Sequence, residues 1–509
     1  MQEFFGWFHK QQGTSAATSA WLILGKGPSY SSLNENTPYK INALPVKVLG
    51  LNDVVRDKKV DIAHCIDFDV VLRNGDAIAR NAGVLVMPWH PHISHKATPK
   101  TLEDLLSEHE ILQQLDQQQR LCWYNLRTSK DQRPDSPTVD VRYFSAEAAI
   151  NLLAMAGVKT IRTLGIDGGK QYSNQFEDLN GESLLSNGRE SFDAQFSEIS
   201  KSIFRYDLDF GPYDGQTPVK IFVGTLESQM LATRVLEYSI RKHASISVEV
   251  TPLHESPIPI PMPAETKNHP RTPFSFQRFL IPQSCGYQGK AIYLDSDMLV
   301  FNDIRNLWNH PMANAEIVSC WETTKESGRR PQFSVMMLDC SKLDWEIQDL
   351  VERLNSGELT YQKLVYEMAI AKNISATIEP HWNSLEVYRK GITSLLHYTD
   401  MQKQPWVRRH NPLAWLWCQE LIDAVQQQFI SRDELEKHIT MGWVRPSLGY
   451  QVDHQISHPE RLSRRITRLD DNFVAPFESL IPHSPIHPLW RIKKNVIQAI
   501  RRLKGIIDA

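Results

Sequence analysis

The sequence has no paired cysteine spacing, no long apolar run and almost no net charge, and each absence removes a class of protein. Its six cysteines, Cys65, Cys122, Cys285, Cys320, Cys340 and Cys418, are widely scattered. That excludes a disulfide-stapled secreted scaffold and fits reduced core thiols. No stretch approaches the ~20 apolar residues of a membrane span, and Met1 to Ser19 lacks an apolar core behind a basic start. A cytoplasmic protein is expected. A formal net charge of -3 over 509 residues gives no basic character for a nucleic-acid partner. The length exceeds one hydrophobic core and calls for two or three domains.

What is present centres on Ala291-Ile-Tyr-Leu-Asp-Ser-Asp-Met-Leu-Val300. Side chains alternate along extended backbone, so Asp295 and Asp297 project together from the end of an apolar strand containing Ile292, Tyr293 and Leu294. Paired hard oxygen ligands suit Mg²⁺ or Mn²⁺, and a divalent ion with open positions can clamp a diphosphate while a glycosyl or phosphoryl bond breaks. Asp-x-Asp alone is a weak signal, because such pairs also arise in surface turns.

The surroundings make it specific. The series runs from Lys220-Ile-Phe-Val-Gly-Thr225 as a first strand, through a helix from Gln229 to Ile240, to Thr272–Pro282 around Arg278. It continues with Tyr293-Leu-Asp-Ser-Asp297, Leu307-Trp308, Phe333–Asp339, Pro380-His-Trp-Asn383 and His397-Tyr-Thr-Asp-Met-Gln-Lys-Gln-Pro-Trp406. In this order the blocks resemble the retaining glycosyltransferases of family 8, which have the sugar-nucleotide fold called GT-A. The resemblance implies that Asp295, Asp297 and His397 hold a metal, that Arg278 and Lys403 contact the donor phosphates, and that Thr225 lies near the nucleoside. A histidine beside two aspartates tilts the metal towards manganese, with magnesium as the alternative. Lys403 would assist the departing phosphate.

The chain departs from the family in two places. Leu359-Thr-Tyr-Gln362 stands where members commonly have Asp-Gln-Asp beside the reacting sugar, which makes Gln362 the candidate catalytic residue, and Asp400 and Gln404 alter the late block. With no clear carboxylate nucleophile, front-face attack with retention is expected. Tyr293, Trp308, Trp382 and Trp406 read as packing residues.

Ahead of this stretch, from Ala20 to about Tyr206, lies a second nucleotide-type pattern. Trp21-Leu-Ile-Leu-Gly-Lys-Gly-Pro-Ser29 reads as a buried strand entering a glycine turn, whose exposed backbone N–H groups can receive an anion. Val48–Asp53 is a second strand, and a helix from Ser145 to Gly157 leads into Thr160–Gly169. Such alternation predicts a parallel sheet with its site at the strand carboxyl ends. These pieces resemble the Rossmann-like domain shared by family 42 sialyltransferases and the DUF115 proteins. That resemblance implies a second nucleotide pocket lined by Gly25, Gly27, Ser29, Asn52 and Asp167. His90, His92 and His95 cluster among prolines and read as an exposed loop rather than a metal centre.

Asp209–Pro218 has the composition of a linker, which places domains at 1–212 and 213–410 and a helical extension at 411–509. The proline-rich stretch Thr251–Pro273 must run as an extended loop, bordering the acceptor cleft or acting as a spacer. Trp490–Ile507 reads as a basic amphipathic helix, suited to an anionic lipid surface or to packing on its own domain.

The expected architecture is therefore α/β, with two nucleotide-binding-type domains, Rossmann-like then GT-A, and a helical C-terminal appendix. The expected activity is manganese-dependent transfer of a hexose from a nucleoside-diphosphate sugar, UDP-linked by family habit, to a glycan or glycolipid acceptor. Cell-envelope polysaccharide synthesis at the inner face of a membrane would suit it. A bifunctional enzyme with an active first domain and a non-catalytic nucleotide- or glycan-binding scaffold are the alternatives.

Overall fold

The computed structural model describes residues 1–12, 19–32, 40–41, 44–127, 132–179, 190–213, 215–320 and 333–477. The basic helix expected at Trp490–Ile507 lies outside the described residues.

The first half of the chain builds a sheet from Gln2–Glu3 (β1), Ala20–Leu24 (β2), Leu44–Leu51 (β3), Val60–His64 (β4), Ala82–Pro88 (β5), Leu121–Leu126 (β6), Thr160–Leu164 (β7) and Asp209–Pro212 (β8). Their order is β1-β6-β5-β4-β3-β2-β7-β8, and each neighbouring pair is parallel. All five residues of β2 are buried, as an uninterrupted apolar run demands when a parallel strand is covered on both faces. The helix Phe68–Asn81 covers one face through Phe68, Val71 and Ile78. The alanine-rich helix Ser145–Met155 is buried from Ala146 to Ala154. Its small side chains let it fit between the sheet and the helix Gln195–Tyr206.

Strand order reverses between β2 and β7, and at such a reversal the following loops diverge and leave a crevice above the strand carboxyl ends. Gly25 and Gly165 meet there. A Cβ on either would collide with the other's carbonyl oxygen, and Gly165 has φ +74°.

The composition of Asp209–Pro218 predicts a linker, yet Asp209–Pro212 is a strand, paired through Thr160 opposite Asp209. It lies at the sheet edge, where glycine and proline are tolerated because one side of the backbone needs no partner.

The second half of the chain contributes Val219–Gly224 (β9), Val248–Pro252 (β10), Lys290–Asp295 (β11), Met298–Val300 (β12), Ile317–Cys320 (β13), Val335–Asp339 (β14), Ile374–Ile378 (β15), Ser384–Leu385 (β16) and Leu395–His397 (β17) to a second sheet and a smaller one. Six of these run β10-β9-β11-β14-β13-β15, and β12-β17-β16 form a smaller sheet. β14 is antiparallel to both β11 and β13. Here the order reverses between β9 and β11, with Gly224 opposite Asp295. The helix Met230–His243 buries Leu231, Val235, Leu236 and Ile240, the periodic apolar face read from the sequence.

The proline-rich stretch begins inside β10, with Thr251 and Pro252 paired to Phe222 and Val223, because an edge strand tolerates proline. Beyond Pro252 it is irregular apart from short turns and is pinned to the helix Ile347–Ser356, where Ala264 N donates to Asn355 Oδ1 at 2.8 Å and Asn268 Nδ2 to Leu354 O at 3.1 Å. The expected helical extension is present as Ala414–Gln426, Arg432–Thr440 and Ser447–Asp453. It shares a core with Met230–His243 through Leu231, Val235, Trp417 and Leu421. All six cysteines are buried and unpaired. Among the described residues, no helix is long and apolar enough to cross a membrane.

The crowding at the first reversal generates a stability prediction. Gly165→Ala should cost about 2–4 kcal/mol in urea denaturation, because it combines a left-handed backbone with a steric overlap. Gly169→Ala, at φ +66° with nothing within 4 Å, should cost only about 1 kcal/mol.

Candidate functional site

β11 ends at Asp295, and the chain turns through Ser296 so that Asp297 precedes β12. β12 pairs with β17, placing Met298 opposite His397 and bringing the imidazole back to both carboxylates. Ligand atoms of Asp295, Asp297 and His397 lie within 4.8 Å of one another, and no other group of three qualifies among the described residues. His397 Nε2 is 3.0 Å from Asp297 Oδ1 and 3.9 Å from Asp295 Oδ2. The three side chains are only 3%, 13% and 13% exposed.

The residues fit a divalent cation. Asp297 Oδ1 has no hydrogen-bond donor apart from a protonated His397 ring, so with a neutral imidazole it is free to bind a cation. His397 Nδ1 faces Asn383 Oδ1 at 3.1 Å, while Asn383 Nδ2 points to Ser334 Oγ at 3.4 Å. The Asn383 oxygen therefore accepts from Nδ1–H, leaving the Nε2 lone pair directed at the carboxylates. Two carboxylates and a neutral imidazole make a mixed oxygen and nitrogen donor set. Without a cation the charges are strained. Burial raises the Asp295 carboxyl above its ordinary value, although Arg278 and His397 pull it down. Burial opposes a charged His397, but Asp297 and Asp295 outweigh it and raise the imidazole above its ordinary 6.5.

Neighbours hold these ligands in place. The Tyr293 hydroxyl donates to Asp295 Oδ1 at 2.6 Å and accepts from Arg278 Nη2 at 3.2 Å. Arg278 also donates to Phe333 O at 2.8 Å and lies 3.6 Å from Asp295 Oδ1. Gly224 makes room for that hydroxyl, since a Cβ there would overlap it. Gln404 Nε2 donates to Asp297 Oδ2 at 2.8 Å and to Tyr398 O at 3.1 Å. The residue that interrupts the late block thus supports a metal ligand. Its insertion was the only sequence signal, and the roles of Asn383 and Tyr293 have none until the strands are paired.

The remaining expected residues engage elsewhere. Thr225 is fully buried, its hydroxyl 2.8 Å from that of Thr233, and its backbone is bracketed by Gln277 at 3.0 and 2.9 Å. Lys403 is 62% exposed and pairs with Asp400 at 3.1 Å. Gln362 is exposed and donates to Glu367 at 3.0 Å. Trp308, Trp382 and Trp406 are buried packing residues, whereas Tyr293, expected to be one too, is buried but also hydrogen-bonds Asp295. A cavity of about 440 Å³ adjoins the metal loop, with Gln229, Gln404, Asp400, Phe274, Trp443 and Phe477 in its wall. Gln229 accepts from Ser296 Oγ at 3.2 Å, so one side chain of the cavity wall touches the Asp-Ser-Asp turn.

In the first domain, Gly25, Gly27, Asn52 and Asp167 line a cavity of about 300 Å³. Ser29 is tied to Asp167 through its N and Oγ at 2.7 and 2.5 Å. The open anion-binding turn expected there is not formed. Gly25 N donates to Leu164 O at 2.7 Å and Gly27 N to Gly165 O at 2.8 Å. These amides lock β2 to β7 and have no capacity left for an anion. Nor are the three histidines all in an exposed loop: His90 is 6% exposed.

Residues 239–410 match the family model described as Glycosyl transferase family 8. Two curated proteins of Arabidopsis thaliana are similar. Protein CDI is 40% identical over a region covering 18% of this chain and 36% of that protein. Probable galacturonosyltransferase-like 9 is 29% identical over 25% of this chain and 44% of that protein. The chain thus spans less than half the length of either relative. Among solved structures, the glycosyltransferase GlyE of Streptococcus pneumoniae TIGR4 is 15% identical, covering 42% of this chain and 64% of that one at a TM-score of 0.30. The galactosyltransferase LgtC with donor and acceptor sugar analogues is 10% identical, covering 40% of this chain and 95% of that one at a TM-score of 0.28.

The raised His397 value gives the metal site a pH signature. Without metal, protonated His397 contributes stability that is fully present below 6.5 and is lost as pH rises through the higher folded value. A cation must displace that proton, so Mn²⁺ affinity should rise on the order of tenfold per pH unit until the imidazole is neutral. Calorimetry in buffers of different ionisation enthalpy would read the proton released. Gln404→Ala should weaken Mn²⁺ binding about 10- to 100-fold with the fold intact, as loss of a ligand's hydrogen-bond support does.

Proposed function

We propose that the chain is a manganese-dependent glycosyltransferase that moves a hexose from a nucleoside-diphosphate sugar, UDP-linked, to a hydroxyl of a glycan or glycolipid. The observation that carries this reading is the largely buried Asp295, Asp297 and His397 group at the reversal of the second sheet, inside a stretch matched by the family 8 model. A bound divalent ion would neutralise the diphosphate leaving group as the glycosidic bond breaks.

The chain's own residues do the rest. Tyr293 and Gln404 hold the two carboxylates in register. Arg278 adds positive charge behind Asp295, and exposed Lys403, paired with Asp400, would turn to the departing phosphate. Phe274, Trp443 and Phe477 give the adjoining cavity an aromatic wall suited to the planar base of the donor. Attack from the same face as the leaving group, with retention, is the route that suits a sequence offering no clear carboxylate nucleophile. The inner face of a membrane, in cell-envelope glycan synthesis, remains the setting this activity suits, and the terminal basic segment Trp490–Ile507 would supply the contact.

Hydrolysis and binding across UDP-, GDP- and CMP-sugars, with and without Mn²⁺, test the reading. One UDP-sugar should turn over only with Mn²⁺, and Asp297→Ala should lower the rate at least about 10³-fold. Folded protein that binds no UDP-sugar would refute the assignment. Trp443→Ala should raise the KM for the donor about tenfold with little change in kcat, as loss of a stacking partner does.

A further inference from the structure

The first domain holds a second cavity, separate from the metal centre, whose chemistry differs from that expected of a phosphate site. It lies where strand order reverses between β2 and β7, the position at which parallel α/β sheets receive ligands. Loops that follow four different strands supply its wall, through Lys26 after β2, Asn52 after β3, Asp67 after β4 and Asp167 after β7.

Its lysine and arginine side chains are committed, and two of its acceptor atoms are not. Lys26 and Arg73 each bind fully buried Asp53 at 2.8 Å, and Asn74 Nδ2 joins them at 2.9 Å. Arg142 pairs with Glu198 at 3.3 Å, and the amides of the glycine turn bond to β7 and Asp167. By contrast, Asn52 Oδ1 and Asp67 Oδ1 have no hydrogen-bond donor. The His95 Nδ1 lies 3.4 Å from Asp67 Oδ1. Asn52 is also held at φ +52°, a left-handed conformation that suits glycine better. The half-buried rings of Tyr143, Phe144 and Phe192 complete the wall.

Unmet acceptors beside aromatic rings, with every cation paired, are complementary to a ligand rich in hydroxyl donors that also has a C–H face. They do not suit a phosphate, which needs free N–H groups or unpaired cations. About 300 Å³ is the lower end of small-molecule pockets, enough for a single ring and too small for a whole sugar nucleotide. We propose that this cavity binds a monosaccharide, with Asn52 and Asp67 accepting hydrogen bonds from its hydroxyls.

Saturation-transfer NMR on the full chain tests this, with D-glucose, D-galactose, D-mannose and N-acetyl-D-glucosamine as probes. The chain would carry Asp297→Ala and be free of metal, which disables the second domain's candidate donor site. At least one sugar should receive saturation, and 10 mM inorganic phosphate should leave the signal unchanged. Adding Asn52→Gly, which removes the carboxamide and suits the backbone, should keep Tm within about 2 °C and weaken binding about tenfold. Asp67→Ala should weaken it similarly. The proposal is overturned if no sugar is saturated, if phosphate displaces the sugar, or if the signal survives both substitutions. Failure here would leave Mn²⁺-dependent turnover in the second domain untouched, so the two readings stand or fall separately.

Discussion

Two carboxylates and an imidazole confined where solvent barely reaches them set the terms for the second domain. Burial raises the Asp295 carboxyl, with repulsion from Asp297 adding to it, and burial opposes a charged His397 but the two carboxylates outweigh it and raise the imidazole. The surroundings compensate in detail. Tyr293 donates to one carboxylate, Gln404 to the other, Asn383 orients the imidazole, and Arg278 stands behind Asp295. Gly224 follows from the same constraint, because only a residue without Cβ leaves space for the Tyr293 hydroxyl. The arrangement is one that a divalent ion could complete.

Both sheets place their cavities at a reversal of strand order, yet they use the position differently. In the second sheet the loop after β11 carries two largely buried carboxylates facing His397. In the first, the glycine turn after β2 spends its amides on β7, and Ser29 spends its donors on Asp167. A motif that can cradle an anion here serves as a fastener. The same topology therefore leaves one site fit for a cation and the other lined with unmet acceptors.

The helical extension is part of this machinery rather than an attachment. Its core is continuous with the helix Met230–His243, and Lys242 of that helix binds Glu420 at 2.9 Å. Fully buried Arg445 ties it to the end of the late block through Pro405 O at 2.9 Å and holds Gln451 Oε1 at 2.5 Å. Trp443 and Phe477 consequently reach the cavity beside Gln404, although both lie beyond the stretch matched by family 8.

Local pattern determined much of this protein. Apolar runs such as Ala20–Leu24 and Ile292–Leu294 had to be strands buried on both faces, the period of Leu231, Val235 and Ile240 had to be a helix, and alternating side chains had to put Asp295 and Asp297 on one side. The motif order along the chain was enough to nominate His397 as their partner. Tertiary structure alone decided which hydrogen bonds those residues make, because that depends on strands distant in sequence lying in register. Pairing of β12 with β17 delivers His397, and with it Asn383 and Gln404, to the carboxylates. Pairing of β2 with β7 consumes the glycine-turn amides that the motif by itself leaves open. A one-dimensional pattern reports which face a side chain takes, whereas the partner it finds there is fixed only when the sheets close.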